Sequence, residues 1–270
     1  MMPDLKPKKW AGAIRTVTLG AGSRRPLTVG GGNGLPLHTF EGEFPHRPLL
    51  ALEINGADAA GADLVMVRVN GSPEEAAAEV RAVLDRVDVP LIVKGPGAGP
   101  KQNEVLARVA EEFSGEGLVL HSACQEDYKT LAAVAVAYGH VLAAESPIDM
   151  NLAKQLNILL ADASMDLNRV LIDPFTGGLG YGLEYTYSVM ERIRLAALGG
   201  DAMLNSPMIC LVGPEAWKAK EARVSGVNWE VATALPLIEA GAEVVVLRHP
   251  ESLARLRGQL DSWFGGDACR

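Results

Sequence analysis

Cysteine is scarce in this 270-residue sequence, and its scarcity limits the chemistry that the chain can carry alone. The three cysteines, Cys124, Cys210 and Cys269, are far apart and include no C-x-x-C pair. Because a [4Fe–4S] cluster takes four thiolates, the chain cannot hold one by itself. The five histidines show no H-E-x-x-H or comparable spacing. The sequence therefore predicts no intrinsic metal site, and Cys124 and Cys210 are interpreted as buried small side chains.

Long apolar runs and an excess of positive charge are also lacking. The longest candidate span, residues 131–144, contains Tyr138, Gly139 and His140 and is shorter than the about 18 residues that cross a bilayer. The opening stretch MMPDLKPKKW has no apolar core of a secretory signal. The net charge is −8, and no basic run is interleaved with aromatic residues. We therefore expect a soluble, cytoplasmic protein that binds neither membranes nor nucleic acid.

Nucleotide-binding fingerprints are missing from both glycine-rich stretches. The stretch 95–99, GPGAG, lacks the G-x-x-x-x-G-K-[ST] pattern, and the stretch 178–182, GLGYG, lacks the G-x-G-x-x-G spacing. Glycines here are typical either of turns or of a surface where a planar ligand or another backbone approaches closely.

The chain does contain eight short apolar runs separated by helical patterns. Most runs are continuous rather than alternating, as in parallel strands that are buried on both faces. The runs are residues 49–54, 64–69, 90–93, 118–120, 141–144, 170–172, 208–212 and 243–247. The helical patterns are residues 73–87, 102–113, 125–138, 149–161, 183–198 and 229–240. This order favours the α/β class and a closed (β/α)8 TIM barrel, with an open doubly wound sheet as the alternative.

The chain before the first apolar run predicts a separate feature. Residues 1–48 are expected to form an N-terminal extension, packed on a barrel domain of residues 49–270. Within it, residues 13–20 and 27–30, joined by the polar turn 21–26, indicate a β-hairpin that covers the bottom of the barrel.

Functional residues of such a barrel are expected where each strand ends, at the mouth. The eight strand ends are residues 55–56, 70–72, 94–99, 121–123, 145–147, 173–178, 213–217 and 248–250. Polar residues and glycines converge there. A sugar-phosphate enzyme ranks last among the functions considered, because the last two loops offer Trp217 and Pro250 rather than a glycine-rich anion nest.

Individual polar residues at this mouth leave several roles open. Asp173 fits a base, a ligand clamp or the cap of a turn, and Lys94 fits either a Schiff-base lysine or a partner of Glu145. The neighbours His121 and Ser122 suggest a base and a nucleophile, but the G-x-S-x-G context is absent. On the helix 183–198, Glu191 and Arg194 are spaced to form an ion pair.

Longer motifs carry a resemblance to a known family. The segment 172–198, IDPFTGGLGYGLEYTYSVMERIRLAAL, resembles the signature segment of the small subunit of the corrinoid iron–sulfur protein, also called the delta subunit of acetyl-CoA decarbonylase/synthase. Four further stretches match that family in order. They are LPLHTFEGE at 35–43, SPIDMNLAKQLNIL at 146–159, EAWKAKEA at 215–222 and VLRHP at 246–250.

The resemblance implies a TIM barrel that pairs with a larger subunit carrying a [4Fe–4S] cluster and a corrinoid domain. It also implies a corrinoid (cobamide) cofactor shared between that domain and this barrel's mouth, with no iron–sulfur cluster in this chain. The complex would take a methyl group from methyltetrahydrofolate, with a separate methyltetrahydrofolate methyltransferase, and pass it to acetyl-CoA synthase/CO dehydrogenase. Because the cofactor carries the difficult chemistry, no residue of this chain is expected to form or break a bond.

The resemblance and the barrel together select the residues expected to face the corrinoid. They are Lys94, Gly95, His121, Ser122, Ser146, Asp173, Thr176, Gly177 and Gly178. The alternative function is a stand-alone pterin-dependent methyltransferase that transfers methyl from methyltetrahydrofolate to a corrinoid. In that case Asp173 and Asn151 would be the candidate pterin contacts.

Overall fold

A computed structural model describes residues 10–34, 44–54, 59 and 61–264 of the chain. The motif at 35–43, the first strand end at 55–56 and Cys269 lie outside the described residues.

Eight parallel strands close into a barrel, as the continuous apolar runs predict. The strands are β3 (Leu49–Glu53), β4 (Leu64–Arg68), β5 (Leu91–Lys94), β6 (Val119–Ala123), β7 (Val141–Glu145), β8 (Val170–Asp173), β9 (Met208–Leu211) and β10 (Ala242–Leu247). They pair in chain order, and β10 closes the barrel on β3 with Val245 opposite Leu50 and Val246 opposite Ala51. The open doubly wound sheet considered as an alternative is therefore wrong.

Helices follow most strands. They are α1 (Pro73–Leu84), α2 (Pro100–Glu112), α3 (Tyr128–Tyr138), α4 (Met150–Asp162), α5 (Leu183–Leu198), the short α6 (Val212–Ala216), α7 (Ala222–Glu239) and α8 (Pro250–Phe264). A capping box of Ser72 and Glu75 starts α1, with Pro73 in the first turn. None of the helices in the described ranges is long and apolar enough to cross a bilayer.

The N-terminal hairpin is confirmed and closes the bottom of the barrel. Strands β1 (Val17–Leu19) and β2 (Leu27–Val29) pair antiparallel. The side chains of Val17, Leu19 and Val29 are buried among the apolar residues that fill the barrel interior. Hydrogen bonds fix this position, because Gly20 N donates to Gly117 O at 3.1 Å, just before β6. The lower end of the barrel is thus sealed by apolar side chains, and the opposite end remains for ligands.

The predicted pair of Glu191 and Arg194 does not form in the described structure. Arg194 is buried on the face of α5 that meets the sheet, where it pairs with Glu243 of β10 and donates to Gly241 O. The prediction of an ion pair from the spacing on α5 is wrong because the side chain of Arg194 is buried toward the sheet instead of lying along the helix surface.

Candidate functional site

A cavity of about 300 Å³ opens at the carboxyl ends of the strands. Its wall combines charged residues with an apolar side. The charged residues and the histidine are Arg68, Lys94, His121, Glu145, Asp173, Glu215, Lys218 and Arg248, and the others are Phe175, Thr176, Leu211, Pro214 and Trp217. The expectation that polar groups of different strands meet at this end is confirmed.

His121 lies at the floor of this cavity, fully buried in the middle of β6. Its Nε2 is 2.8 Å from Oδ2 of Asp173, and its Nδ1 is 2.9 Å from Nζ of Lys94. Because an ammonium group can only donate, Nδ1 must accept and the ring proton must lie on Nε2, facing the carboxylate. Burial and the charge of Lys94 lower the pKa of His121 against the opposing effects of Asp173 and Glu145. The ring is therefore neutral, and both of its nitrogens are occupied.

Lys94 joins this group to a second carboxylate. Its Nζ is 3.4 Å from Oε2 of Glu145 and 3.5 Å from the hydroxyl of Ser122, and that hydroxyl donates to Glu145. The pairing of Lys94 with Glu145 is confirmed. Because Nζ of Lys94 is already engaged by Glu145 and His121, the arrangement favours a structural lysine over a Schiff base.

Three potential metal ligands meet at the cavity floor, although their spacing in the sequence gives no such indication. One ligand atom each from His121, Glu145 and Asp173 lies within 4.8 Å of the others. The ammonium of Lys94 contacts His121 and Glu145 and so supplies the positive charge that a cation would bring. We therefore assign no metal to this cluster.

Asp173 also shapes the loop that follows β8. Its Oδ1 accepts from the backbone N of Phe175 at 2.8 Å, which is the turn-capping role considered from the sequence. Phe175 adopts φ of +65°, an uncommon conformation for a non-glycine residue, and its ring remains 40% exposed. The hydroxyl of Thr186 donates to Phe175 O at 3.0 Å and accepts from Gly177 N at 2.8 Å. The loop is thus fixed from within while it presents an aromatic ring to solvent.

Two backbone segments of this loop approach each other closely at Gly177. A Cβ placed there would collide with the carbonyl oxygen of Gly182 and lie 2.9 Å from Leu183 N. Gly178 is less tightly enclosed, because a Cβ there would lie 3.3 Å from Glu215 O.

We expect Gly177→Ala to lower the free energy of unfolding by about 2 kcal/mol, because overpacking a tight contact costs about 1–3 kcal/mol. Gly97→Ala is a control with open space at the Cβ, although its φ of +121° carries its own backbone cost. Urea unfolding of both variants checks the prediction. A smaller loss for Gly177→Ala than for the control would contradict the collision.

The remaining predicted site residues support the mouth rather than line its cavity. Ser146 is buried and its N donates to Asp173 O at 2.8 Å. Gly95 N donates to His121 O at 2.9 Å, and a Cβ at Gly95 would meet the side chain of Gln102. That buried glutamine donates to Ser122 O at 2.7 Å.

Sequence reasoning missed a charged group on one side of the mouth. Glu53, Arg68 and Arg248 come together there, and Trp217 and Lys218 complete the wall. A usable signal was present, because Glu53 and Arg68 are charged residues at the carboxyl ends of otherwise apolar strands.

Comparisons with known proteins agree on one family. A family model described as the CO dehydrogenase/acetyl-CoA synthase delta subunit matches residues 55–257. The acetyl-CoA decarbonylase/synthase complex subunit delta of Methanosarcina mazei is 39% identical over 72% of this chain and 48% of its own length. That of Archaeoglobus fulgidus is 33% identical over 93% of this chain and 68% of its own length. The chain spans about half the length of the Methanosarcina mazei and Methanopyrus kandleri relatives that it matches.

Solved structures share the fold. A dihydropteroate synthase from Thermus thermophilus superposes with a TM-score of 0.59 at 18% identity, covering 92% of this chain and 99% of that one. The Yersinia pestis dihydropteroate synthase gives 0.57 at 17% identity, covering 82% and 94%. At such identities the likeness shows a common barrel fold alone.

Proposed function

The chain belongs to the CO dehydrogenase/acetyl-CoA synthase delta subunit family, and from this membership we propose that it is the small scaffold subunit of a corrinoid iron–sulfur protein. In this role it would form a heterodimer with a large subunit that carries the corrinoid and a [4Fe–4S] cluster. The complex would carry a methyl group from methyltetrahydrofolate, or a related pterin, to acetyl-CoA synthase.

The observation that carries the proposal is a barrel mouth whose wall contains buried polar atoms that lack an ordinary hydrogen-bond partner. Among the described residues, eight buried side-chain atoms lack an ordinary hydrogen bond, and two of them, Thr176 Oγ1 and Trp217 Nε1, belong to residues that line the cavity. The hydroxyl of Thr176 has only the thiol of Cys210, a weak partner, beside it. Buried polar atoms normally have partners, so these two indicate a ligand that supplies them. A corrinoid, with amide side chains around its ring, offers such partners.

The size of the cavity is consistent with a shared cofactor. About 300 Å³ is at the lower limit for small-molecule pockets and admits only part of a corrinoid. The rest of the cofactor would then be covered by the large subunit. When bound, the corrinoid supplies the cobalt centre that carries the methyl group.

Exposed apolar side chains lie on one side of this mouth, in the segments that follow β7 and β8. Phe175 and Tyr181 project from the loop after β8, Tyr185 lies in the first turn of α5, and Ile148 is bonded through its N to Pro174 O. Large exposed aromatic groups near a cavity are typical of protein interfaces. They support docking of the large subunit over the mouth.

The residues of this chain would hold and enclose the cofactor. Both nitrogens of His121 are occupied by Lys94 and Asp173, so this side chain has no free lone pair for cobalt. The sealed bottom of the barrel blocks water from below. The chain thus acts by positioning, and the chemistry belongs to the cofactor.

Co-expression with the corrinoid-carrying large subunit tests this function. We expect a heterodimer with corrinoid absorbance, from which Thr176→Val and Trp217→Phe each lower corrinoid retention about five-fold, the equivalent of one hydrogen bond of about 1 kcal/mol. Thr130→Val, on the exposed face of α3, is the matched control.

A chain that remains a cofactor-free monomer beside that partner would contradict the proposal. Binding of methyltetrahydrofolate to the isolated chain, with methyl transfer to free cob(I)alamin, would instead favour the stand-alone methyltransferase. The geometry gives that alternative little support, because the oxygens of Asp173 are occupied and Asn151 is exposed outside the cavity wall.

A further inference from the structure

Two guanidinium groups are held side by side at the mouth by one carboxylate. Arg68 Nε is 3.1 Å from Glu53 Oε1, and Arg248 Nε is 2.6 Å from Glu53 Oε2. Glu53 is only 7% exposed at its side chain, whereas both arginines line the cavity. Although burial alone would raise the pKa of Glu53, the hydrogen bonds and charges of Arg248 and Arg68 hold it below its usual value. The carboxylate is therefore ionised beneath two permanently charged groups.

Each guanidinium retains donors that Glu53 does not use. Arg68 bonds to Glu53 through Nε alone, and Arg248 uses Nε and Nη2. No described residue accepts a hydrogen bond from either Nη atom of Arg68 or from Nη1 of Arg248. The trio of Glu53, Arg68 and Arg248 therefore combines one net positive charge with several unused N–H groups beside the cavity.

The positive charge is localised on this side of the mouth. Lys94 pairs with Glu145 and Lys218 pairs with Glu215 at 2.7 Å, so those cations are balanced. On the other side, the carboxylate of Asp173 lies against the neutral ring of His121. A bound anion is thus attracted to the two arginines and repelled from the cavity floor.

Buried groups fix Arg248 in place before any ligand arrives. The carboxylate of Glu230, fully buried on α7, accepts from Arg248 N at 2.6 Å and from His249 N at 3.3 Å. Gly213 leaves the necessary room, since a Cβ there would lie 2.7 Å from Arg248 N. A site whose backbone is already ordered loses little conformational entropy on binding.

We propose that Arg68 and Arg248, held on Glu53, form a binding site for a singly charged phosphate ester. The carboxylates of Glu53 and Glu230 offset the two guanidinium charges, so an ester of low charge suits the site better than a dianion. The unused N–H groups of the guanidinium groups can bind phosphate oxygens through paired hydrogen bonds. The ester is either the phosphodiester in the nucleotide tail of a corrinoid, which rests on the proposed function, or a free phosphate ester.

The first arm of the test uses dimethyl phosphate and the full chain alone, followed by ³¹P NMR titration. We expect saturable binding that Arg68→Gln weakens about five-fold or more, as for the loss of a charge-assisted hydrogen bond. Arg81→Gln, at an exposed arginine of α1 that pairs with Glu112 of α2, is the matched control and should bind as the wild type does. Arg68→Lys keeps a positive charge beside Glu53, so it should preserve the fold. Its affinity for dimethyl phosphate should lie between that of the wild type and that of Arg68→Gln.

The second arm uses the heterodimer and compares cobalamin with cobinamide, which lacks the nucleotide tail. If the tail occupies the site, the wild type retains cobalamin about five-fold better, and Arg68→Gln removes that preference. Equal retention of the two corrinoids, with Arg68-dependent binding of dimethyl phosphate, supports the site with a free ester as its ligand.

Binding of dimethyl phosphate that is unchanged by Arg68→Gln and Arg68→Lys, or is absent in the wild type, overturns the anion site. Failure of the heterodimer to retain any corrinoid overturns the proposed function instead. In that case Arg68-dependent binding of dimethyl phosphate still supports the anion site, so the two failures are distinguishable.

Discussion

Leu19→Ala is expected to lower the free energy of unfolding by about 3 kcal/mol, within the about 2–5 kcal/mol that a buried leucine loses on truncation. Leu19 lies in the hairpin, outside the barrel sheet, yet its side chain is fully buried in the apolar cluster of the barrel interior. Truncation would leave a cavity between the hairpin and the barrel. Small residues such as Ala51 and Ala143 already contribute little volume there, and they cannot expand to fill the gap.

Leu27→Ala is the matched control for this prediction. Leu27 lies opposite Leu19 on the same hairpin but is only half-buried. We expect it to lose about 1 kcal/mol or less, in proportion to the smaller apolar area that it removes from water. Urea unfolding followed by circular dichroism measures both changes. Equal, small losses would show that the hairpin does not contribute to the folding unit of the barrel.

The barrel could be predicted from the sequence because its strands are buried on both faces. Continuous apolar runs such as residues 64–69 and 141–144 show this directly, and the structure places β4 and β7 there. The predicted helix at 229–240 begins earlier, at Ala222, and bends at Ser225. The helix α8 was not predicted. The predicted strand 208–212 ends one residue earlier, because Val212 starts α6.

The partners at the mouth could not be predicted, because closure of the barrel brings them together. Arg248 and Glu53 are 195 positions apart and meet only because β10 pairs with β3. His121 and Asp173 are 52 positions apart, and they lie in the middle of β6 and at the end of β8. Position at a strand end identified His121, Asp173 and Lys94 as mouth residues, but it did not say that they would neutralise one another.

Acidification below pH 6.5 is expected to destabilise the fold, through His121 and His140, by up to about 1.4 kcal/mol per pH unit for each. Burial is the main cause that lowers the pKa of both histidines in the folded chain from the ordinary value of 6.5. Just below that value the unfolded chain binds protons that the folded chain does not. Stability is therefore complete above pH 6.5 and falls with pH until the folded histidines also titrate.

The surroundings of each ring explain why protonation is resisted. His140 is buried, accepts from Leu118 N at Nδ1 and faces Ala110 O with Nε2, so a second ring proton would displace a hydrogen bond. His121 would place its new proton against the ammonium of Lys94. In both cases the neutral tautomer satisfies every partner, and the charged form loses one.

Free energies of unfolding measured in urea from pH 5 to pH 8 check this prediction, with His121→Gln and His140→Gln as variants. An amide keeps one donor and one acceptor but does not titrate, so each variant should reduce the slope below pH 6.5 by up to one proton. Burial raises the pKa of Glu243, so this residue changes the pH slope of stability in the direction opposite to the histidines. The contribution of each histidine is therefore read from the difference in slope between its variant and the wild type. Slopes that stay unchanged in both variants would assign the acid sensitivity elsewhere. If only His121→Gln reduces the slope, the acid sensitivity arises at the barrel mouth. There, protonation of His121 would break the hydrogen bond from Lys94 and disturb the base of the proposed cofactor site.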